Sequence, residues 1–460
     1  MFRKVMVANR GEIALRVVRA CRDAGIASVV AHSGRDRDTE AVRLADESVQ
    51  IGPSTPAKSY LNAAAIIQAA LQTGAEAVHP GYGFLSENPD FADACERAGV
   101  VFVGPSAATI ERLGSKVEAR ALMSEAEVPL LPGSPGTVGP SAALEVAERI
   151  GFPVIVKASA GGGGLGMRVI DGPGGFEDAF RATRATAGTL FGDPRVYVEK
   201  YLETARHVEI QVLCDGHGGA VHLGTRDCSL QRRHQKLVEE APAPGLPTAV
   251  LDEMGEAARR GAVLAGYRGA CTFEFVVHPD GSYYFLEVNC RIQVEHPVTE
   301  LITGIDIVQE QLRVAAGEPL SVTQEDVDPR GVAIECRINA EDPDRDFAPA
   351  PGRIEEFVPA AGPFVRVDSY VRPGYQVPAE YDSLLAKLVV WAPDRDGACA
   401  RMERALSEFR LSGPNVRTTR EFLAAVIDHP DFRDATHSTS LVESWWCEPT
   451  PDEPEVPAPE

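Results

Sequence analysis

The sequence predicts an α/β protein in which a doubly wound parallel sheet at the N-terminus is followed by a small glycine-rich unit and a large C-terminal region. Three observations support this prediction. Residues 1 to about 110 alternate short apolar runs with amphipathic helical patterns, which is typical of strands that alternate with helices. Farther along, a run of four consecutive glycines lies between two β-like segments. Finally, polar and apolar residues alternate from Glu287 to Glu295, as in a strand with two different faces.

The N-terminal region supplies both kinds of element in turn. Its predicted strands are "KVMVA", "SVVAH", "EAVHP" and "VVFVG", and its predicted helices are "EIALRVVRACRDAG", "YLNAAAIIQAALQTG" and "DFADACERAG". Two of these helices are expected to end at a glycine C-cap. The "ANRGE" segment after the first strand lacks the G-x-G-x-x-G pattern, so the sequence does not support a dinucleotide site there.

Length and composition narrow the class of protein. A chain of 460 residues is expected to form about three domains of roughly 150 residues. The 45 Lys and Arg residues against 67 Asp and Glu residues give a formal net charge of −22, which argues against nucleic acid or an anionic membrane as partner. The nine cysteines form no C-x-x-C pair, so neither a zinc site nor a disulfide framework is indicated. Without a signal peptide or an apolar run near the ~20 residues of a membrane span, a cytoplasmic protein is expected.

The small unit follows a Pro/Gly-rich connection, "VPLLPGSPGTVGPS", which indicates a hinge or a domain boundary. Its glycine run stands in "FPVIVKASAGGGGLGMRVI" between two strands, which rules against a Walker A loop, since that loop also requires G-K-[ST]. A hairpin of this kind can close its backbone N–H groups over phosphates, and Lys157 can add a charge. A flexible surface loop is the alternative.

The segment "CTFEFVVHPDGSYYFLEVN" predicts a β-hairpin, because Asp280-Gly281 is a favoured type I′ turn. Folding about that turn pairs Glu274 with Glu287. Like charges about 5 Å apart destabilise a hairpin, so the pair requires a cation or a raised pKa on one acid. Mg²⁺ is the economical cation, because one or two carboxylates and substrate phosphates hold it. A hairpin with exposed acids is the alternative.

Two further alternations predict a polar site. The residues expected on one side of an extended strand are Glu287, Asn289, Arg291, Gln293 and Glu295. In "LQRRHQK", if this segment is extended, Gln231, Arg233 and Gln235 alternate with Arg232, His234 and Lys236 to give a cationic row. Basic residues close to acids and a metal indicate anionic reactants. On its own, the basic run is more typical of a solvated face.

Together these parts resemble the ATP-grasp fold and, specifically, the biotin carboxylase family. The resemblance covers nearly the whole chain through the motifs "ANRGEIALR", "HPGYGFLSEN", "KASAGGGGLGMR", "EKYLETARHVEIQV", "RDCSLQRRHQK", "FEF", "NCRIQVEHPVTE" and "ECRINAEDP". It implies an ATP-dependent ligase that makes carboxybiotin from bicarbonate through carboxyphosphate. The alternatives are a non-catalytic ATP-binding relative with a structural role in a carboxylase, and an ATP-grasp ligase for another carboxylate or amine.

The resemblance also implies the domain organisation. The expected units are an N-terminal α/β domain at 1–110, a linker and ATP-grasp lid at 111–203, an ATP-grasp catalytic sheet at 204–330, an α+β C-terminal domain at 331–446, and an acidic tail at 447–460. The tail is proline-rich and has no positive charge, so disorder is expected there.

Site residues follow from the same resemblance. ATP phosphates would be held by Lys116, Lys157 and the glycine loop, including Gly163 and Gly164. Adenosine would be held by Glu199, Lys200, Tyr201, Leu202, His207, Gln231 and His234. Glu274 and Glu287, assisted by Asn289, would bind Mg²⁺ or Mn²⁺. Bicarbonate would be held by Lys236, Arg291, Gln293 and the backbone of Val294. Glu295 would be the base, and Arg337 would stabilise the biotin enolate.

Departures from the family pattern and the expected partners complete the prediction. Leu165 stands where the family usually has Arg or Lys, which bears on ATP affinity, and Cys290 stands where Thr or Pro is usual. Family biotin is carried on a lysine between two methionines, and none of the six methionines here precedes a lysine. We therefore expect a separate biotinyl carrier protein. The resemblance also implies a homodimer and a separate carboxyltransferase, as in acyl-CoA carboxylases of fatty acid biosynthesis. The carboxyl acceptor stays open among acetyl-CoA, propionyl-CoA, pyruvate and others.

Overall fold

The computed structural model describes residues 1–159 and 166–446. Its N-terminal part is a five-stranded sheet in which the strands are parallel and follow the order β3-β2-β1-β4-β5. The strands are β1 (Lys4–Val7), β2 (Ala27–Ser33), β3 (Glu47–Gly52), β4 (Ala77–His79) and β5 (Val101–Phe102). The predicted doubly wound parallel sheet is confirmed. Strand β3 was not predicted, because most of this edge strand is exposed or half-buried and it offers no apolar run.

The helices of this part connect the strands and cover the sheet. They are α1 (Gly11–Asp23), α2 (Glu40–Leu44), α3 (Ala63–Thr73), α4 (Pro89–Arg97) and α5 (Ala107–Gly114). Helix α3 begins three residues later than the apolar pattern suggests, because the Asn62 side chain caps it by accepting a hydrogen bond from the Ala65 N–H. It ends at Gly74 in the left-handed conformation (φ 68°), as the C-cap prediction required.

A three-stranded antiparallel sheet, ordered β7-β6-β8, forms the small unit. Its elements are β6 (Val154–Ala158), β7 (Met167–Ile170) and β8 (Val196–Lys200), with α7 (Pro140–Ile150) and α8 (Phe176–Phe191) packed on it, while α6 (Lys116–Glu125) precedes it. Strands β6 and β7 flank the glycine run, as expected. The predictions for Gly163, Gly164, Leu165 and the tail at 447–460 lie outside the described residues.

The largest element is an antiparallel eight-stranded sheet in the order β13-β12-β9-β10-β11-β14-β19-β18. Its strands are β9 (Arg206–Cys214), β10 (Ala220–Arg232), β11 (Gln235–Ala241), β12 (Gly269–Val277), β13 (Tyr283–Asn289), β14 (Val332–Asn339), β18 (Val365–Ser369) and β19 (Leu384–Ala392). Strands β11 and β14 pair with each other, so a single sheet extends across the boundary expected at residue 330.

Helices and two short ladders complete the C-terminal half. The helices are α9 (Thr248–Leu264), α10 (His296–Thr303), α11 (Ile307–Ala315), α12 (Arg395–Glu408), α13 (Arg420–Asp428), α14 (Pro430–Arg433) and α15 (Leu441–Trp446). The ladders join β15 (Glu341–Asp342) to β16 (Ala348–Pro349), and β17 (Glu356–Val358) to β20 (Arg410–Ser412). Helix α10 packs against β10, β11, β14 and β19. Among the described residues, no helix has the length and hydropathy of a membrane span.

The Pro/Gly-rich connection forms a strap between the small unit and the large sheet. The Phe285 N–H donates to the Pro129 carbonyl at 2.8 Å, on the β13 side. On the β8 side, the Lys200 N–H donates to the Pro132 carbonyl at 2.8 Å and the Ser134 N–H donates to the Val198 carbonyl at 2.8 Å. The segment predicted as a hinge or boundary therefore bonds to a strand at each end.

Candidate active site

The β12–β13 hairpin brings two carboxylates together. Glu274 is paired with Glu287 in the ladder, which confirms the predicted pairing. The predicted two-residue type I′ turn is wrong. The Gly281 N–H donates to the His278 carbonyl at 2.9 Å, and the His278 N–H donates to the Ser282 carbonyl at 2.9 Å. The turn is therefore a three-residue loop, with Pro279 favouring a type I turn and Gly281 at φ 88°.

A β-bulge corrects the register that this longer turn sets. The ladder shifts between Glu274 and Phe275, so that Leu286 has no partner of its own. Phe285 and Val288 on either side of the bulge both pack in the hydrophobic core. Because the bulge absorbs one residue, Glu287 faces Glu274, and this is the re-aiming of a side chain that bulges provide near active sites.

The basic segment also differs from its prediction. Arg232 pairs with Gln235, and the two residues between them, Arg233 (φ 48°) and His234 (φ 66°), form a tight turn in the left-handed region. The expected single extended cationic row is therefore wrong, because the chain reverses within it. Gln231 instead faces Lys236 across the hairpin.

The polar alternation after Glu287 does not form one long strand. Strand β13 ends at Asn289, and helix α10 begins at His296, where Pro297 occupies a first-turn position. The predicted strand as far as Glu295 is wrong for residues 290–295. The side chains converge nevertheless: Arg291 donates to Asn289 Oδ1 at 3.1 Å and to Gln293 Oε1 at 3.0 Å.

Glu87 fixes Arg291 from the N-terminal part. Its Oε2 accepts from Arg291 Nε at 2.8 Å, and its Oε1 accepts from the Cys290 N–H at 2.8 Å. Glu87 lies in the family motif "HPGYGFLSEN", and no role was predicted for it. The contact places the N-terminal part directly against the segment expected to hold bicarbonate.

Lys236 lies at the centre of an acidic cluster. Its ammonium donates to Glu209 at 2.7 Å, to Glu274 at 3.0 Å and to Glu295 at 2.6 Å. Burial on its own would lower the pKa of Lys236, but these carboxylates raise it well above its usual value, so the group stays charged. Beneath the cluster, fully buried Arg226 donates to Glu209 at 2.6 Å. Neither Glu209 nor Arg226 was predicted, although Glu209 shares an alternating face of β9 with His207.

Arg337 on β14 joins Glu295 to a second acid. Its Nε donates to Glu239 Oε1 at 2.6 Å, and its Nη2 donates to Glu295 Oε2 at 2.9 Å. Burial favours the neutral form of Glu295, but Lys236, Arg337 and Arg226 hold its pKa well below the usual range. Burial raises the pKa of Glu239 to about 7. Burial also raises the pKa of its ladder partner Glu335 well above normal.

The residues expected to bind ATP phosphates are each paired with a carboxylate. Lys116 donates to Glu287 Oε2 at 2.7 Å. The Lys157 ammonium lies 2.8 Å from Glu199 Oε2. Arg120, which was not predicted, also donates to Glu199 and, at 3.2 Å, to the Leu131 carbonyl. Both lysines are therefore charged groups with protein partners that an incoming anion can replace.

The residues expected around adenosine occupy neighbouring strand ends. Lys200 donates its ammonium to the carbonyls of Gly151 and Phe152 at 3.1 and 3.0 Å, so this side chain secures the β8 end. Tyr201 and Leu202 follow in the connection to β9, and His207 Nε2 lies 3.0 Å from Glu274 Oε2. Gln231 is half-buried, whereas His234 is exposed in the tight turn.

The donor set fits a magnesium ion. Glu274 and Glu287 offer oxygen ligands from adjacent strands, and Asn289 donates to Glu274 Oε1 at 2.8 Å. A second acidic group, His207 with Glu209 and Glu274, has ligand atoms within 4.8 Å of one another. The Glu209 side chain is completely buried between Lys236 and Arg226, whereas the Glu287 side chain is 31% exposed, so the pair Glu274 and Glu287 is the more accessible to an ion.

Three family models match the chain. They are the biotin carboxylase N-terminal domain over residues 1–110, the ATP-binding domain of the carbamoyl-phosphate synthase L chain over 115–323, and the biotin carboxylase C-terminal domain over 335–444. A biotin carboxylase from a Nostoc species is 51% identical over 96% of this chain and 99% of its own length.

Two solved structures are similar over nearly the same span. One is the dimer of the biotin carboxylase domain of Hydrogenobacter thermophilus 2-oxoglutarate carboxylase, in complex with MgADP, ADP and bicarbonate. Its sequence identity is 45%, its TM-score is 0.92, and the match covers 96% of this chain and 98% of that one. The other is a variant of Rhizobium etli pyruvate carboxylase, with 43% identity and a TM-score of 0.90, matched over 96% of this chain and 40% of that one. These similarities confirm the fold class predicted from the sequence.

Proposed function

Since the chain belongs to the biotin carboxylase family, we propose that it carries out the ATP-dependent carboxylation of biotin at the cluster around Lys236 and Glu295. Bicarbonate is the carboxyl source and ATP the energy source. The observation that carries this assignment is the position of Glu295, whose two carboxylate oxygens are bonded to Lys236 at 2.6 Å and to Arg337 at 2.9 Å. A carboxylate between two cations, beside a second carboxylate pair, suits a base that acts on an anionic substrate.

Bicarbonate is held by the Lys236 ammonium, the Arg291 guanidinium, the Gln293 side chain and the Val294 N–H. Glu295 accepts the bicarbonate proton as a bicarbonate oxygen attacks the γ-phosphate; the bond to the β,γ-bridging oxygen breaks, so that ADP leaves and carboxyphosphate forms. Glu295 is a weak base while Lys236 and Arg337 both bond to it, because those charges hold its pKa low. When the two cations turn towards bicarbonate and biotin, the proton affinity of Glu295 rises, so the base gains strength only with its substrates bound.

ATP is held between the lid and the large sheet. Lys116 and Lys157 leave Glu287 and Glu199 to bind phosphate oxygens, and the end of β8 with His207 holds the adenosine. Mg²⁺, bound by Glu274 and Glu287 with Asn289 nearby, neutralises charge on the phosphates. Closure of the glycine-rich loop over the phosphates excludes water from carboxyphosphate.

Biotin is bound through Arg337. Carboxyphosphate breaks down to CO₂ and phosphate, the phosphate takes the proton from the ureido nitrogen, and that nitrogen then bonds to CO₂. Arg337 stabilises the negative charge that develops on the ureido oxygen when the proton is lost. The biotin arrives on a separate biotinyl carrier, and a carboxyltransferase uses the carboxybiotin. A homodimer is supported by the dimeric Hydrogenobacter thermophilus structure. The two similar structures come from a 2-oxoglutarate carboxylase and a pyruvate carboxylase, so they support carboxylase assemblies in general and no single acceptor.

The experiment is a measurement of ATP turnover against bicarbonate, Mg²⁺ and free biotin. Turnover is expected to require bicarbonate and Mg²⁺ and to increase with biotin. Lys236→Gln is expected to raise the KM for bicarbonate, whereas Lys58→Gln, which changes a lysine of a short 3-10 turn in the N-terminal part, serves as control. Hydrolysis at an equal rate without bicarbonate would rule out the ligase, and ATP binding without turnover would favour the non-catalytic relative.

A further inference from the structure

Two successive peptide groups in the bicarbonate segment are bonded from the buried side. The Gln293 carbonyl lies 2.8 Å from Nδ1 of His296, the first residue of α10. The Val294 carbonyl accepts from the Lys387 ammonium, on β19, at 2.8 Å. The side chains of His296 and Lys387 are both completely buried. The backbone on either side of Val294 is therefore bonded to groups that cannot leave for solvent.

Because a peptide group is planar, these two hydrogen bonds also fix the directions of the Val294 and Glu295 N–H groups. In a trans peptide the N–H points opposite to the carbonyl of the same unit. With the Gln293 carbonyl directed at His296, the Val294 N–H points away from the buried imidazole. With the Val294 carbonyl directed at Lys387, the Glu295 N–H is fixed in the same manner. Within residues 1–159 and 166–446, neither N–H has a hydrogen-bond acceptor, and such oriented, unpaired N–H groups bind anions.

The protonation state of His296 makes Nδ1 the hydrogen-bond donor of the ring. Burial, followed by the charges of Lys387, Arg16 and Arg366, holds the pKa of His296 well below its usual value, so the ring is neutral. A carbonyl only accepts hydrogen bonds, so Nδ1 carries the hydrogen and donates it to Gln293. Among the described residues, Nε2 has no hydrogen-bond partner.

The unpaired Nε2 of His296 destabilises the folded protein, which indicates that the function of this imidazole is to donate a hydrogen bond from Nδ1. A buried polar atom without a hydrogen-bond partner destabilises the folded state. An apolar side chain at position 296 would avoid that cost at Nε2 but could not hold the Gln293 carbonyl. Lys387 is similarly constrained, because its ammonium lies 3.1 Å from Glu12 and 4.0 Å from Asp368 while it bonds the Val294 carbonyl.

We propose that His296 and Lys387 are positioning residues for the carboxylation reaction. His296 aims the Val294 N–H at bicarbonate, and Lys387 fixes the next peptide group and with it the backbone of the base, Glu295. Neither side chain touches a substrate. This inference rests on the proposed function, because it presumes that bicarbonate binds at the Arg291 to Val294 segment.

The decisive comparison is between His296→Asn and His296→Gln. The Asn amide places a donor near the position of Nδ1, whereas the Gln amide extends one bond farther, towards the position of Nε2. Both replacements are neutral and polar. The Gln variant should raise the KM for bicarbonate about tenfold or more, because the lost bond lets the anion-binding peptide rotate. The Asn variant should stay within about threefold of wild type, because it restores that bond. The KM for ATP and the Tm should be similar in the two variants.

A purely structural His296 would give a different result: the two variants would share one KM for bicarbonate and differ, if at all, in Tm. That outcome would overturn the proposal. A measurement on the unmodified chain stands even if a variant folds poorly. Bicarbonate, compared with chloride at equal ionic strength, should slow hydrogen exchange of the Val294 amide, and an unchanged exchange rate would also overturn it.

The same measurements distinguish failure of the proposed carboxylation function from failure of the positioning role of His296. Wild-type ATP turnover that is independent of bicarbonate would contradict the proposed function, whatever the His296 variants do. Wild-type turnover that depends on bicarbonate, together with an unaltered KM in His296→Gln, would contradict only the positioning role.

Discussion

Glu295 is a buried carboxylate between two cations. Its oxygens accept hydrogen bonds from Lys236 and Arg337, and its side chain is completely buried. These charges hold the pKa of Glu295 well below its usual range, so the carboxylate is ionised. Under the proposed function, bicarbonate and biotin draw the two cations away, and the proton affinity of Glu295 then rises.

Replacing Glu295 by Gln should lower ATP turnover by roughly 100-fold or more, the usual loss when a general base is removed. ATP binding should stay close to wild type, because Glu295 lies with the bicarbonate residues and does not contact Lys116 or Lys157. Turnover and nucleotide Kd, measured separately, test this. Glu256→Gln, at a half-exposed pair with Arg259, is the matched control. Wild-type turnover in Glu295→Gln would mean that another group is the base.

The residue-level predictions succeeded where the chemistry was local in sequence. Glu274 and Glu287 lie on the two strands of one hairpin, so their pairing could be predicted by counting residues from the turn. The turn is one residue longer than predicted, but the β-bulge compensates for that residue, so the predicted pair still forms. The contacts of Glu87 and Lys387 could not be predicted from the sequence. Their partners lie 204 and 93 residues away in sequence, and contacts of that range depend on how separate sheets meet.

At the scale of elements, periodicity identified strands with continuous apolar runs and missed those without one. Strand β3 was missed because it is an exposed edge. The alternation after Asn289 was misread as a strand because side chains that converge on one site can alternate in polarity without being extended. The Arg233 and His234 turn was missed because a type I′ turn usually shows Asn or Gly at these positions. Local preference was overridden there by the surrounding sheet.

The strap between the small unit and the large sheet gives a test at this scale. A Cβ on Gly133 would lie 2.4 Å from the Val198 carbonyl oxygen, so Gly133→Ala must displace the strap from β8. We expect a loss of about 1–3 kcal/mol in the free energy of unfolding and weaker ATP binding, because the end of β8 moves. Gly139→Ala, at the other end of the strap, meets nothing within 4 Å and should affect neither the Tm nor the nucleotide Kd. Equal effects from both variants would contradict this role of Gly133.

The segment before α15 is held by a buried ion pair that responds to pH. His437 Nε2 lies 3.2 Å from Asp227 Oδ1 and 3.8 Å from Glu240 Oε1. Burial lowers the pKa of His437, but Asp227 and Glu240 outweigh burial and the nearby charge of Arg206, so the pKa is raised.

A pKa raised in the folded state gives stability that is fully present below the unfolded value of about 6.5. That stability is lost as the pH rises through the higher folded value. His437→Asn should therefore lower the Tm at pH 6 by roughly 2–4 °C more than at pH 9. Thermal unfolding at both pH values is the measurement. A Tm difference that does not change with pH would show that the imidazole is neutral in the folded protein.

At the scale of the whole molecule, the candidate site combines residues from separate parts of the described chain. Glu87 comes from the N-terminal part, Lys116 from α6, Lys157 from the small unit, and Lys236 and Arg337 from the large sheet. Buried ion pairs also tie α1 to α10, through Arg16 and Glu300 at 2.9 Å, and α1 to β19 of the large sheet, through Glu12 and Lys387 at 3.1 Å. The overall fold class was predictable because the family motifs extend along the chain, whereas the single sheet that crosses residue 330 was not, because strand order leaves no local signal.

A biotinylated carrier should raise the rate of carboxylation well above that with free biotin, because tethering supplies a high local concentration and a preferred orientation. The purified chain should also carry no covalent biotin. Mass spectrometry of the chain, and product formation with and without a biotinylated carrier, test both points. Biotin found on this chain would contradict the separate-carrier assignment, as would an unchanged rate on adding the carrier.

From the hydrogen bond between Lys116 and Glu287, 2.7 Å long, we expect nucleotide binding and metal binding to be thermodynamically linked. In this ion pair, Lys116 is the cation expected to bind the phosphates and Glu287 is a carboxylate expected to bind Mg²⁺. A nucleotide that draws Lys116 away leaves Glu287 free for the metal, and a metal on Glu287 releases Lys116 to the nucleotide. Each ligand must then tighten the other by the same factor, since a coupling free energy is reciprocal. Calorimetric titrations with nucleotide added first and with metal added first should give the same coupling free energy. Lys116→Met should weaken the coupling, because Glu287 then has no Lys116 partner before either ligand binds.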